Sequence, residues 1–225
     1  MESMNLIGTF EAASPLLLAG LKTTVMVTVI SLVIAMLLGI VVCLMNISKN
    51  KVLRGIAKFY IWIIRGTPML VQAFYVYFAV PQLMQALTGS DFRIDIVTAS
   101  VLTLTLNAGA YISEIFRGSI QSVDKGQMEA SRSLGVSYAT SMRKVIIPQA
   151  VRICLPSLVN QCIITLKDST IMYALGLPET MNQAAVYVGR TMDSFATYTW
   201  VAIIFLVVTS MLMLASSALE KRMRK

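Results

Sequence analysis

From Leu16 to Met45 the chain carries a single charge, Lys22, near the start of an otherwise apolar run. That run is far longer than the roughly 7–15 apolar residues of a secretory signal. No basic segment precedes it, since Glu2 and Glu11 are the only charges before Pro15. It reads as an uncleaved span. Crossing about 30 Å of hydrocarbon takes roughly 20 apolar residues, and four further runs meet that length, over about 59–84, 96–116, 151–176 and 198–219. A chain so built is expected to be an all-α integral membrane protein with five transmembrane helices, forming one domain over 1–225.

Composition agrees. Only 13% of residues are charged and 56% are hydrophobic, whereas soluble domains are about a quarter charged. The net charge of +8 does not point to nucleic acid, because the basic residues flank apolar runs and form no groove-tracking stripe with interleaved aromatics. Cys43, Cys154 and Cys162 lie in or beside apolar runs and read as small hydrophobes. There is no histidine, which excludes histidine-based metal sites and catalytic triads. No catalytic residue and no metal ligand is assigned.

Lysine and arginine set the orientation. The first loop carries Lys49, Lys51, Arg54 and Lys58; the third carries Arg117, Lys125, Arg132, Arg143, Lys144 and Arg152. The tail ends in Lys221, Arg222, Arg224 and Lys225, while the second and fourth loops offer only Arg93 and Arg190, each beside acids. The N-terminus is expected outside and the C-terminus in the cytoplasm. Tyr60, Trp62, Tyr75, Tyr77, Tyr198 and Trp200 fall toward span ends, where interface anchoring accounts for them.

The cytoplasmic loop over about 118–147 is long enough to fold. Asp124 followed by Gln127 has the spacing of an N-cap with its reciprocal partner, predicting a short helix over about 125–134. Gly135 then ends it. Ser137 caps a second short helix over about 138–146, and Pro148 opens the next element.

Glu129-Ala130-Ser131, then Gly135, then Val145-x-Ile147-Pro148 resemble the EAA loop of ABC importer permeases. Ser131, Val145 and Ile147 depart from that pattern conservatively. Three more stretches are similar to polar amino-acid permeases of the histidine, glutamine and arginine type. They are Arg65-Gly66-Thr67-Pro68 with Gln72, Asn107-x-x-Ala110-Tyr111-x-x-Glu114-x-x-Arg117-Gly118, and Lys167-Asp168-Ser169-Thr170. The resemblance covers nearly the whole chain. It implies a type I ABC importer-like fold in the bacterial inner membrane, moving a polar amino acid by alternating access. It also implies ABC ATPase subunits, a second permease copy or a sibling permease, and an extracytoplasmic solute-binding protein. Glu129, Ala130, Ser131, Gly135 and Pro148 then belong to a loop that docks on the ATPase, with Ala130, Ser131 and Ser133 as its small-residue surface. No G-x-x-x-x-G-K-[ST] phosphate loop occurs. The chain is therefore expected to bind no cofactor and to hydrolyse nothing, with ATP and Mg held by a partner.

Polar groups inside spans are costly and face the protein interior or an aqueous cavity. Gln161, Thr165 and Asp168 are spaced i, i+4, i+7 and project from one helix face, making them the candidate substrate residues. Lys167 lies about 100° around the helix, poorly placed to pair with Asp168. Asp168 either receives a substrate ammonium or joins an interhelical network with Arg65 or Lys167. Basic amino-acid permeases resembling this chain often carry Glu seven residues before the signature Asp. Gln161 stands there instead, which leans toward a neutral substrate such as glutamine. Glu114 is expected to pair with Arg117, and Thr67-Pro68 to kink or hinge the second span. With Arg65 and Lys167, these are candidates for gating or structural roles. An ion-coupled secondary amino-acid transporter is the alternative, disfavoured by the absence of internal repeats.

Overall fold

The structure, a computed structural model, describes residues 6–223, with side chains to residue 218; the described residues contain ten α-helices and no strand. Glu2 and the side chains of the basic tail lie outside this range. Five helical stretches are long and apolar enough to cross a membrane: Leu6–Ile47, Met69–Thr88, Ile96–Gln121, Tyr138–Leu175 and Ser194–Ala218.

Helix α1 (Leu6–Ile47) starts well before the expected Leu16 and carries Pro15 in its interior. Remote contacts hold the extension. The Trp200 indole N–H donates to the Leu6 carbonyl at 2.7 Å, Phe10 packs on the Trp200 ring at 4.2 Å, and the Thr9 hydroxyl donates to Asp193 at 2.5 Å. The buried side of α1 is a stripe of small and hydroxyl residues, Gly20, Thr24, Ser31, Ala35 and Gly39. Leu18, Val29, Val33, Leu37 and Leu44 point outward. In lipid, large apolar side chains gain nothing by hiding from solvent, so small residues that let backbones approach form the contacts. Helix α5 (Ile96–Gln121) fills the stripe: a Cβ on Gly39 would lie 2.6 Å from Ile112 Cγ2.

The second span is not the single run expected over 59–84. Helix α2 (Lys51–Gly66) ends at Gly66, and the chain restarts as α3 (Met69–Phe74) after extended Thr67 and Pro68. Proline lacks the N–H a continuing helix needs and pushes the preceding residue out of the α region. The membrane-length apolar part is α3 together with a π turn, Tyr75–Ala79, and α4 (Val80–Thr88).

The short cytoplasmic-loop helix forms as α6 (Lys125–Ser133), but the second one does not stop where expected. α7 (Tyr138–Ser141) runs through a π turn, Met142–Ile146, straight into α8 (Ile147–Asp168), so Pro148 lies inside a continuous rod. Both π turns end just before an X-Pro pair, Val80-Pro81 and Ile147-Pro148. In each, the residue before proline donates to a carbonyl five positions back, Tyr75 or Met142. The widened turn absorbs the missing proline donor without ending the helix.

After Asp168 the rod tightens into a 3₁₀ segment, Ser169–Leu175, closed by Gly176 at φ 88°. α9 (Thr180–Thr191) and α10 (Ser194–Met223) complete the chain. α5 packs against α1, α2 and α8, while α9 lies across α1 and α10 at the end opposite the α6 loop.

Candidate functional site

Asp124 caps α6, its carboxylate accepting the Gly126 N–H at 2.6 Å. The reciprocal half of the expected capping box is not made: Gln127 is exposed, and only its backbone N–H returns to the Asp124 carbonyl, at 3.1 Å. At the other end Val136 N–H donates to Ser131 O and Gly135 N–H to Arg132 O, with Gly135 at φ 77°. This is the glycine-closed helix stop. The Arg132 guanidinium reinforces it by donating to the Val136 carbonyl at 2.8 Å, and so is turned to the backbone rather than to Glu129.

Helix α6 is fastened to the rod from one side. Met128 packs with Val123, Ile146 and Ala150, and the Ser131 and Ser141 hydroxyls share a hydrogen bond of 2.7 Å. Ser131 is therefore buried and cannot belong to the small-residue docking surface expected of it; its spacing with Met128 places it on the inner face. The outward side presents Glu129, Ala130, Arg132 and Ser133, followed by Leu134, 83% exposed.

The break at Thr67-Pro68 is closed by Gln72. Its amide donates to Ile64 O at 2.8 Å, Thr67 O at 3.0 Å and Thr67 Oγ1 at 2.9 Å, and its carbonyl accepts from Asn107 at 3.0 Å. Backbone groups freed inside a membrane must find such partners. One helical turn further along α5 the Arg65 guanidinium lies 5.2 Å over the Tyr111 ring and 3.7 Å from Glu114. The expected Glu114–Arg117 pair is present with two bonds of 2.8 Å, and Asn46 donates to Glu114 at 3.2 Å. Arg65 is thus committed to α5 and forms no network with Asp168. Two stretches far apart in the chain, Arg65–Gln72 and Asn107–Arg117, clamp each other.

The fourth-span residues separate. Asp168 and Lys167 both line a groove of about 520 Å³ between α8 and α10, facing Phe205, Leu206 and Thr209. Among the described residues they form no ion pair. Gln161 and Thr165 are buried and line no part of that groove; the Gln161 amide donates to the Thr165 hydroxyl at 3.3 Å, which donates to Gln161 O at 2.9 Å. Asn46 and the α10 side of the groove went unnoticed in the sequence, because their partners are remote and no spacing marks them.

The family model described as "Binding-protein-dependent transport system inner membrane component" matches residues 31–225. The glutamine transport system permease protein GlnP of Escherichia coli K12 is 35% identical over 212 residues, covering 94% of both chains. The arginine transport system permease protein ArtQ of Bacillus subtilis is 36% identical over 210 residues, covering 93% of both. The solved structure of an amino acid ABC transporter with histidines matches with TM-score 0.89 at 37% identity, over 95% of this chain and 97% of that one. The methionine transporter MetNI, at 19% identity and TM-score 0.74, shares the fold.

The chain therefore belongs to the inner-membrane components of binding-protein-dependent transport systems. It is a multi-pass permease with the fold of a type I ABC importer. Nothing in the fold or in these relatives supports an ion-coupled transporter.

Proposed function

We propose that this permease carries a polar amino acid inward, driven by ATP hydrolysed with Mg on separate ABC ATPase subunits. It pairs with a second copy or a sibling permease and receives substrate from an extracytoplasmic solute-binding protein. The N-terminus is outside and the loop bearing α6 is in the cytoplasm, as the lysine and arginine bias requires.

One observation carries this reading. The docking helix α6 is locked by Met128 and Ser131 onto a continuous helical rod, Tyr138–Leu175, whose far part bears Lys167 and Asp168. A displacement of α6 by a partner reaches those side chains along one continuous helix, past Pro156 in its interior. The groove also suits the substrate class. An amino acid presents an ammonium and a carboxylate, and Asp168 and Lys167 offer the opposite charges without cancelling one another in an ion pair. Gln161 lines no part of the groove, so the lean toward a neutral side chain such as that of glutamine rests on the family resemblance at that position. The similarity to the glutamine permease at 35% identity supports that lean, while the similarity to the arginine permease keeps basic substrates in the test.

The test is ATPase activity and uptake in proteoliposomes containing the chain with its neighbouring ATPase and permease subunits, using glutamine, arginine and histidine as competitors. ATP-dependent uptake that Gly135→Pro uncouples, with insertion intact, supports the proposal. Uptake by the chain alone down an ion gradient would overturn it.

A further inference from the structure

At the end of the molecule where α1 stops and α2 begins, a cavity of about 630 Å³ opens between α2 and α5. Asn46, Arg54, Lys58, Trp62, Glu114 and Arg117 form most of its wall. Arg117 is already neutralised by two bonds to Glu114, and its remaining nitrogen donates to Gln121 at 2.6 Å. Arg54 and Lys58, one helical turn apart on α2, have no acidic partner among the described residues. The cavity therefore holds two uncompensated positive charges.

Its surroundings fix the level at which it lies. α1 ends at Ile47, α2 starts at Lys51 and α5 ends at Gln121, so the cavity sits at the edge of the apolar layer, not within it. The other side of α2 exposes Val52, Leu53, Ile56, Phe59 and Ile63. Trp62, 70% exposed and with its ring tilted against that of Phe59 at 6.1 Å between centroids, stands between the two sides. Tryptophan at this position marks the headgroup level. A helix with basic residues on one side and bulky apolar ones on the other lies against a membrane surface.

We infer that this cavity binds the phosphate head of an anionic phospholipid, held by Arg54 and Lys58, with its acyl chains along the outer face of α2. Basic pockets between membrane helices select anionic heads because two cations facing one cleft attract a counter-charge that zwitterionic lipid supplies only in part. Asn46, whose amide donates to Glu114, and Trp62 belong to the same wall. The site is independent of what the permease transports.

The experiment measures lipid retained by the full-length chain, purified with its partner subunits, using native mass spectrometry. Phosphatidylglycerol and phosphatidylcholine are the lipid probes, and inorganic phosphate is the competitor. Preferential retention of phosphatidylglycerol is expected. Arg54→Gln with Lys58→Gln should lower it by about thirtyfold, the loss expected of two basic residues at a bilayer surface. The charge-preserving pair Arg54→Lys with Lys58→Arg should restore retention, which separates charge from damage to the fold. Lys49→Gln, outside the cavity, should change retention little. Equal retention of both lipids, or no loss in the double Gln variant, overturns the inference. Displacement of the lipid by millimolar inorganic phosphate also overturns it, because the site is then a free-anion site.

Discussion

Glu179 is the acid that the fold shields most completely among the described residues: it is fully buried, and its two carboxylate oxygens accept the Met181 and Asn182 N–H groups at 2.9 and 2.7 Å. It caps α9, yet no cation pairs with it among the described residues. Burial pushes its carboxyl up to about 7 from an ordinary 4.5, against the downward pull of those N–H groups. The folded chain thus holds a proton that the unfolded chain releases. Its contribution is complete at and below pH 4.5 and is lost as pH rises to about 7, a swing on the order of 3 kcal/mol. Thermal stability in detergent should therefore fall across that window. Glu179→Gln, which keeps an acceptor for the cap, should flatten the profile; an unchanged profile removes Glu179 as its cause. In the sequence this residue looked like one loop acid among several, because only packing against α1 makes it buried.

Among the elements, the broken second span and the α1 stripe make opposite demands. Gln72 satisfies two backbone carbonyls at the break and one amide on α5. Gln72→Leu leaves those groups unpaired and should cost about 2–3 kcal/mol of unfolding stability. A double-mutant cycle with Asn107→Ala should show coupling, and additive losses would mean that the two act separately. In α1, a Cβ on Gly20 would meet Thr180 Cα, Thr180 N and Glu179 C at 2.7, 2.8 and 2.9 Å, all backbone. Backbone cannot swing aside, so Gly20→Ala should destabilise by about 1–3 kcal/mol. Gly55 in α2 has nothing within 4 Å of that position, and Gly55→Ala should be stabilising by about 0.5–1 kcal/mol. Denaturation of the pair in one detergent gives both signs at once. The Thr67-Pro68 break was readable from proline chemistry, whereas the Gln72 brace required knowing that α5 lies alongside.

For the molecule as a whole, the substrate groove provides the discriminating prediction. Asp168→Asn should reduce uptake at least tenfold while leaving assembly intact, if the groove holds the substrate ammonium across about 1.4 kcal/mol or more of binding energy. Gln161→Glu should raise the relative uptake of arginine over glutamine if the substrate reaches past the groove to this buried position, where a carboxylate favours a cationic side chain. Competition assays read both, and an unaltered preference would show that buried Gln161 acts only within α8. Five membrane-length helices, the loop helix with its glycine stop and the set of signature residues were determined by the sequence itself. Span length, proline, glycine and helix caps act over a few neighbouring residues, and their physics does not depend on the rest of the fold. Tertiary structure alone decided the outer extension of α1 and the burial of Ser131. It also joined the loop to the fourth span as one rod and left Asp168, but not Gln161, on an open groove. Each of those outcomes depends on which surface meets which across the bundle, and in a helix that is apolar all round hydropathy carries no record of that choice.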